Sequence, residues 1–465
     1  MKKTILLIPL VLVLLLCSLQ IVIDRDFWTD EAFTQLTVNK GMGVGEYSSF
    51  DVHPPGYYVL LTGWNLLNPG LLEHIWLRVF SLLCAAIFIV FAVQVMQRLS
   101  NDDALSLMVG ILVALSTGIV YFGTEARSYM LAMALIAAAL FAVLEKKWIV
   151  VGVIFAALPF IHYYAVVAIP FILLIGLIGG KEDIKSLAVV GGVAVVSTVT
   201  SLVVFALPQL ARIDRAWFAM PDILSMISGM FYPFQIVAEE YGAWGLLVLL
   251  GFIGLMAVVV WKVWEEDKRM WVLLATLFLP VFGVLLAKYF TGAYHHKFFM
   301  GASIWGAMVA YVVLLKWKRW LWGIFMAFSI LSIVLMFGAQ TGQLQEMFGR
   351  VPCQGEKLVM HEASFTYHSF EAYSQERECD MRNILVSKIN ETDGRSAGYD
   401  VIDRNNIYYN NTPPDGNFYY VWSGGDEFGV LGYDEYGLLN STCDTSIVLN
   451  EKDHGGLRLH GEGCR

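Results

Sequence analysis

Charge is what this sequence has least of. Only 15% of its 465 residues are charged, while 57% are hydrophobic. Mean hydropathy is +0.61. That balance excludes an ordinary soluble domain, in which about a quarter of residues are charged. The chain also lacks any internal repeat or low-complexity segment. No small-x-small cleavage site follows the first apolar run, and Leu16 before Cys17 spoils a lipoprotein signal. With Lys2 and Lys3 ahead of it, that run reads as a retained signal anchor with its amino end in the cytoplasm.

Long apolar runs are what the sequence has instead. Runs of about 20 residues, each able to cross about 30 Å of hydrocarbon, recur from Thr4 to about Gln340. Eleven transmembrane helices are expected, near 4–23, 76–97, 103–121, 128–144, 148–164, 166–180, 186–207, 242–263, 271–288, 299–315 and 320–340. The stretch 148–180 is one apolar run, divided at Pro159, His162 and Pro170. Lys and Arg concentrate in alternate loops, among them Arg98, Lys146, Lys147, Lys316, Lys318 and Arg319. The positive-inside rule puts those loops in the cytoplasm. An odd number of spans then puts the tail outside.

The division is 1–340 for the membrane domain and 341–465 for a soluble, extracytoplasmic domain. From Thr341 onward Lys and Arg number 10 and Asp and Glu 20, while the whole chain carries −9. The acidity therefore belongs to the tail, and nothing in the charge points to nucleic acid. Cys17 and Cys84 fall in spans and read as inert apolar residues. Cys353, Cys379, Cys443 and Cys464 all fall in the tail, an even set that suggests two disulfides in an oxidising compartment. Three pairings are open. The aromatic runs NNIYYNN and GNFYYVWSGG, bounded by Asn, Pro and Gly, make the tail β-rich.

Ionisable residues cluster at span ends on one membrane face. The loop after the first span holds WTDEAFT, with Asp30 and Glu31, and DVHPPGYY, with Asp51, His53 and Tyr57. TEARSYM brings Glu125, Arg127 and Tyr129, HYY brings His162, and KYFTGAYHHKFF brings Lys288, His295, His296 and Lys297. Each has an unremarkable alternative. A lone Arg at a span end also serves as a cap or snorkelling anchor. Tyr57 and its neighbours also make an interfacial aromatic belt. His162 fits a satisfied core histidine. His295 and His296 are adjacent, so their rings point about 100° apart on a helix and do not easily share one metal. The Asp30–Glu31 pair is the exception, because two carboxylates beside a bilayer cost desolvation energy and have no evident structural need.

These motifs (WTDEAFT, HPPGYY, EARSYML and HYY) resemble the integral-membrane glycosyltransferases of the GT-C fold. They are most like the protein O-mannosyltransferase and aminoarabinose-transferase superfamily, over about Met1 to Gln340. The resemblance implies a sugar donor on a polyprenyl phosphate, an acceptor that is a protein, lipid or glycan, and Asp30 as catalytic base with Glu31 supporting it. It departs from the family at Lys297, where relatives often carry an Arg-Tyr-Phe pattern. No Trp-Trp-Asp motif is present, which argues against an oligosaccharyltransferase.

The chemistry is consistent with those residues. Phosphate leaves readily, so the reaction needs a carboxylate to take the acceptor hydroxyl proton and cations to hold the departing phosphate. Arg127 and Lys297 are the candidate cations. The donor-binding set is Asp51, His53, Tyr57, Glu125, Arg127, Tyr129, His162, His296 and Lys297. Attack from the opposite face would invert the anomeric centre. These residues point to no definite cofactor, and a divalent metal is left open. The alternative is a transporter or flippase of a lipid-linked or amphipathic substrate, which would usually show inverted repeats and polar groups at mid-membrane. A receptor with a ligand-binding tail has no use for the acidic pair.

Overall fold

The computed structural model describes residues 4–23, 29–40, 53–180, 183–210, 254, 256–263, 266–286, 299–339, 353, 357–361, 364–379, 381–386, 407–408, 418–422, 447–448 and 456–460. Asp51, Lys288, His295, His296, Lys297, Cys443 and Cys464 lie outside the described residues.

The membrane part is helical. Its elements are α1 (Thr4–Ile23), α2 (Thr29–Lys40), α3 (Gly56–Asn65), α4 (Glu73–Ser100), α5 (Asp103–Ala114), α6 (Thr117–Phe122), α7 (Ser128–Leu144), α8 (Trp148–Ile161), α9 (Ala168–Gly179), α10 (Ile184–Ser201), α11 (Lys268–Ala275), α12 (Leu279–Leu286), α13 (Met300–Trp317) and α14 (Leu321–Ala339). Among the described residues, three helices are long and apolar enough to cross a membrane: Glu73–Ser100, Ile184–Gln209 and Met300–Trp317. Six more are shorter apolar helices. Helix α10 leaves Val189, Val195, Val196 and Val199 more than half exposed. An apolar face of that kind belongs against lipid tails rather than water.

Local chemistry explains where the helices stop. Asn101 closes α4 in the left-handed region (φ 52°), and the Asp102 carboxylate accepts from Leu105 N to start α5. Asn and Asp are the residues that suit those two positions. The run 103–121 reads as one span but is broken between α5 and α6, at Leu115–Ser116. Ser116, Thr117 and Gly118 have poor helix preference, and a Cβ on Gly118 would lie 2.4 Å from the Met300 methyl. The division of 148–180 falls at His162, which is extended (φ −157°) between α8 and a 3-10 turn, Tyr163–Val167. Pro159 cannot donate to Phe155 O, four residues back. Ser197 Oγ donates to that carbonyl instead at 3.0 Å, and Ser201 Oγ donates to Pro159 O at 2.8 Å. Two serines one turn apart thus tie α10 to α8.

The core runs between α4, α5, α7, α8 and α13, with Phe88 edge-on to Trp305 at 6.0 Å. Ion pairs mark one end of the bundle: Arg98–Glu145, Lys146–Asp183, Lys316–Glu266 and Arg319–Asp102. All of them join loops that the sequence places on the cytoplasmic side. Arg78 and Arg98 stand at opposite ends of α4, about 30 Å apart at 1.5 Å per residue.

The loop after α1 is itself structured. Asp30 and Glu31 fall in the first turn of α2, not in an irregular loop. Carboxylates are favoured there by the helix dipole, and Lys40 in the last turn complements the other end.

Among the described residues, the tail forms a six-stranded sheet in the order β3-β2-β1-β4-β6-β5. The strands are β1 (Lys357–His361), β2 (Met381–Val386), β3 (Ile407–Tyr408), β4 (Phe418–Trp422), β5 (Ile447–Val448) and β6 (Gly456–His460). The aromatic runs supply β3 and β4. A helix, α15 (Ser364–Glu376), lies among these strands, where the sequence pointed only to a β-rich tail. Strands β1 and β2 are parallel, and parallel neighbours need a crossover, which α15 provides. Cys353 and Cys379 are disulfide-bonded with Cα atoms 4.5 Å apart, so one bridge encloses both β1 and α15.

Candidate active site

Two buried arginines organise the end of the bundle opposite those ion pairs. The Arg78 guanidinium donates to both oxygens of Glu31, from Nε to Oε1 at 3.1 Å and from Nη2 to Oε2 at 3.0 Å. The side chains are 1% and 0% exposed. This two-pronged geometry is the strong form of an Arg–carboxylate contact. Glu31 Oε1 also accepts from Ala126 N at 2.9 Å. Both Glu31 oxygens are thus engaged in holding α2 against α4 and against the segment between α6 and α7.

That segment, Gly123 to Arg127, is a buried turn whose backbone polar groups need partners. Ser81 Oγ donates to Glu125 O at 2.6 Å, and Arg127 N donates to the same oxygen at 2.7 Å. The turn aims Arg127 at α2 and α3. Its Nη1 donates to Tyr58 Oη at 3.0 Å, Thr34 Oγ1 at 3.3 Å and Asp30 O at 3.4 Å. Its Nη2 lies 2.9 Å from Nδ1 of His53. A guanidinium only donates, so that bond is made to a ring nitrogen that carries no proton.

Asp30 stands beside this hub, with Oδ2 3.8 Å from Arg127 Nε. Its side chain is 13% exposed, against 1% for Arg127. Glu31 and Glu125 are buried. Of the three acids gathered here, Asp30 is the most exposed.

Aromatic rings wall the site. His162 is 6.2 Å from His53 and 5.2 Å from Tyr129 between ring centroids. Tyr164 is 6.2 Å from His162 and packs on Phe299 at 5.1 Å. Gln209, just past α10, donates to His53 O at 3.1 Å and accepts from Tyr163 Oη at 2.8 Å. Tyr57 is buried behind Tyr58, and burial pushes its phenol well above its ordinary value of 10.0. Gly56 makes this docking possible. A Cβ there would lie 2.5 Å from Phe160 O, a backbone atom that cannot swing aside.

The structure thus brings together Asp30, Glu31, His53, Tyr57, Glu125, Arg127, Tyr129 and His162. Sequence reading missed Arg78, Ser81, Thr34 and Gln209. Arg78 had a signal, being a guanidinium inside the apolar run EHIWLRVF, where an ionised group is costly unless paired. Among the described residues, no group of three or more His, Cys, Asp or Glu side chains converges to hold a metal.

No protein-family model matches the sequence, and no curated protein matches it either. A solved structure does. The chain is similar to ArnT from Cupriavidus metallidurans in the apo state, with a TM-score of 0.59 and 12% identity, over 96% of this chain and 97% of that one. At that identity the likeness is one of fold, and it covers nearly all of this chain: the chain has an ArnT-like fold.

Proposed function

We propose that this protein is a membrane glycosyltransferase that moves a sugar from a polyprenyl-phosphate donor to an acceptor hydroxyl, with Asp30 as the base. The observation that carries the reading is the setting of Asp30. It is the most exposed carboxylate of a buried cluster of three acids and two arginines on an ArnT-like fold. Arg78 engages Glu31 on both oxygens, which leaves Asp30 as the acid of the pair not committed to that ion pair.

In the reaction, Asp30 Oδ takes the proton of the acceptor hydroxyl. The hydroxyl oxygen forms a bond to the anomeric carbon as the bond from that carbon to the phosphate oxygen breaks. The electron pair leaves with polyprenyl phosphate, and configuration inverts. Arg127 fixes the height of Asp30 through its backbone carbonyl and offers positive charge to the departing phosphate. Lys297 is the second candidate cation, and Asp51 and His296 belong to the donor-binding set. Glu31 supports without contacting substrate. A disulfide in the tail fits an oxidising compartment. We accordingly read the protein as a multi-pass protein of the cell membrane, with the acidic pair and the 341–465 domain on the extracytoplasmic side and the amino end in the cytoplasm. The acceptor is a lipid, glycan or protein reached on that side.

The test is incubation of purified protein with labelled polyprenyl-phosphate sugars and membrane extract. Release of polyprenyl phosphate coupled to label on an acceptor supports the reading. Movement of intact donor across a vesicle bilayer without release would favour a flippase.

A further inference from the structure

The tail is not merely appended to the bundle. Helix α15 packs directly on α2, the helix that carries Asp30. At the end of α15, both oxygens of Glu376 meet Nδ1 of His74, at 2.7 and 2.8 Å. The two side chains are each 5% exposed. Neither residue suits its own helix. Glu376 is the last residue of α15, where the dipole disfavours an anion. His74 is the second residue of α4, where it disfavours a cation. Local electrostatics therefore oppose both positions, and the contact between helices is what satisfies them.

The surroundings are built to keep this contact fixed. Next to His74, Glu73 accepts from Gln35 at 3.2 Å and from Asn39, both on α2. Five residues beyond Glu73, Arg78 holds Glu31. One stretch of α4 thus grips α2 at Glu31, Gln35 and Asn39, one face at four-residue spacing, and grips α15 through His74. Beyond Glu376 the chain is pinned at once. Cys379 N donates to Ser374 O at 2.9 Å, and Cys379 is bridged to Cys353.

We propose that Glu376 is a positioning residue. It seats the soluble domain on α2 through His74 and thereby fixes the helix that presents Asp30, so that the tail is part of the transferase unit. This rests on the transferase reading above. Glu376 touches no substrate. Misplacing a reacting group by about 1 Å can cost about 100-fold in rate, so loosening α2 should appear in turnover.

Two readouts on the full-length protein test this. In the first, Glu376→Ala lowers kcat about tenfold or more and changes donor KM less than about threefold, while Glu376→Gln, which still bonds to His74, keeps most of the activity. The second needs no activity. Spin labels at Lys40→Cys on α2 and Gln375→Cys on α15 report how the two helices sit. A narrow distance distribution is expected with Glu376 or with Gln at that position, and a broad one with Glu376→Ala. A narrow distribution in Glu376→Ala would overturn the proposal, and so would normal kcat alongside a broad one. An inactive parent protein with the expected distances would count against the transferase reading and leave the seating contact standing.

Discussion

Glu31 and Arg78 face each other across the α2–α4 contact with two parallel hydrogen bonds of 3.1 and 3.0 Å, and neither side chain reaches solvent. Asp30, one residue before Glu31, lies instead with Oδ2 3.8 Å from Arg127 Nε, its side chain 13% exposed. Adjacent carboxylates on one helix turn thus have different settings, one locked in a buried ion pair and the other beside Arg127 and more exposed.

Removing one member of a buried pair strands the other charge. Arg78→Ala should destabilise the protein by about 3–5 kcal/mol, as broken buried pairs do. Detergent-solubilised protein followed by thermal unfolding would show the loss. An unchanged melting temperature would mean that Glu31 has another way to be satisfied.

Gly56→Ala places a methyl group 2.5 Å from Phe160 O, a main-chain atom that cannot swing aside. Overpacking of this kind costs about 1–3 kcal/mol. Because α3 carries Tyr57 and Tyr58, the variant should lose donor binding along with stability, measured by titration of labelled donor. A variant with native stability would show that α3 does not approach α8 so closely.

Much of this was legible in the sequence, and the limits were physical. The ArnT-like fold, the split at His162 and the strands at IY and FYYVW all carry local signals. The described parts of the apolar runs fold as helices. The motifs that share the site have no periodicity in common, yet each was marked by ionisable residues beside apolar runs. What sequence could not show was pairing. Glu31 reads as a reactive neighbour of Asp30 until Arg78, 47 residues away, is seen to engage it. Glu376 and His74 are 302 residues apart and individually unremarkable. Helix α15 was missed because SFTYHSFEAYSQE mixes aromatic and polar residues, and only its crossover between parallel strands explains it.

Ser197→Ala would leave Phe155 O in α8 without the donor that replaces the missing Pro159 N–H. Hydrogen bonds between membrane helices are worth about 0.6 kcal/mol on average and about 1.7 at most. The expected effect is a loss of that size, nearly doubled in the Ser197→Ala/Ser201→Ala double variant. Equal stability for single and double variants would argue that the two serines act as one unit.

The Cys353–Cys379 bridge closes a loop across 26 residues. Such bridges contribute about 2–4 kcal/mol. Replacing both cysteines by alanine should lower the resistance of the tail to proteolysis while the membrane helices stay protected. Peptide mapping without reductant should recover residues 353 and 379 in one cross-linked species, and free thiols at both positions would refute the pairing.

The most direct test of the account is donor turnover by Asp30→Asn. The substitution keeps size and hydrogen-bonding reach but removes basicity. With labelled polyprenyl-phosphate sugar, the account predicts a loss of about 100- to 10,000-fold in release of polyprenyl phosphate, the range for a lost general base, with donor affinity within a few-fold of the parent protein. Near-parental turnover by folded Asp30→Asn protein would contradict it.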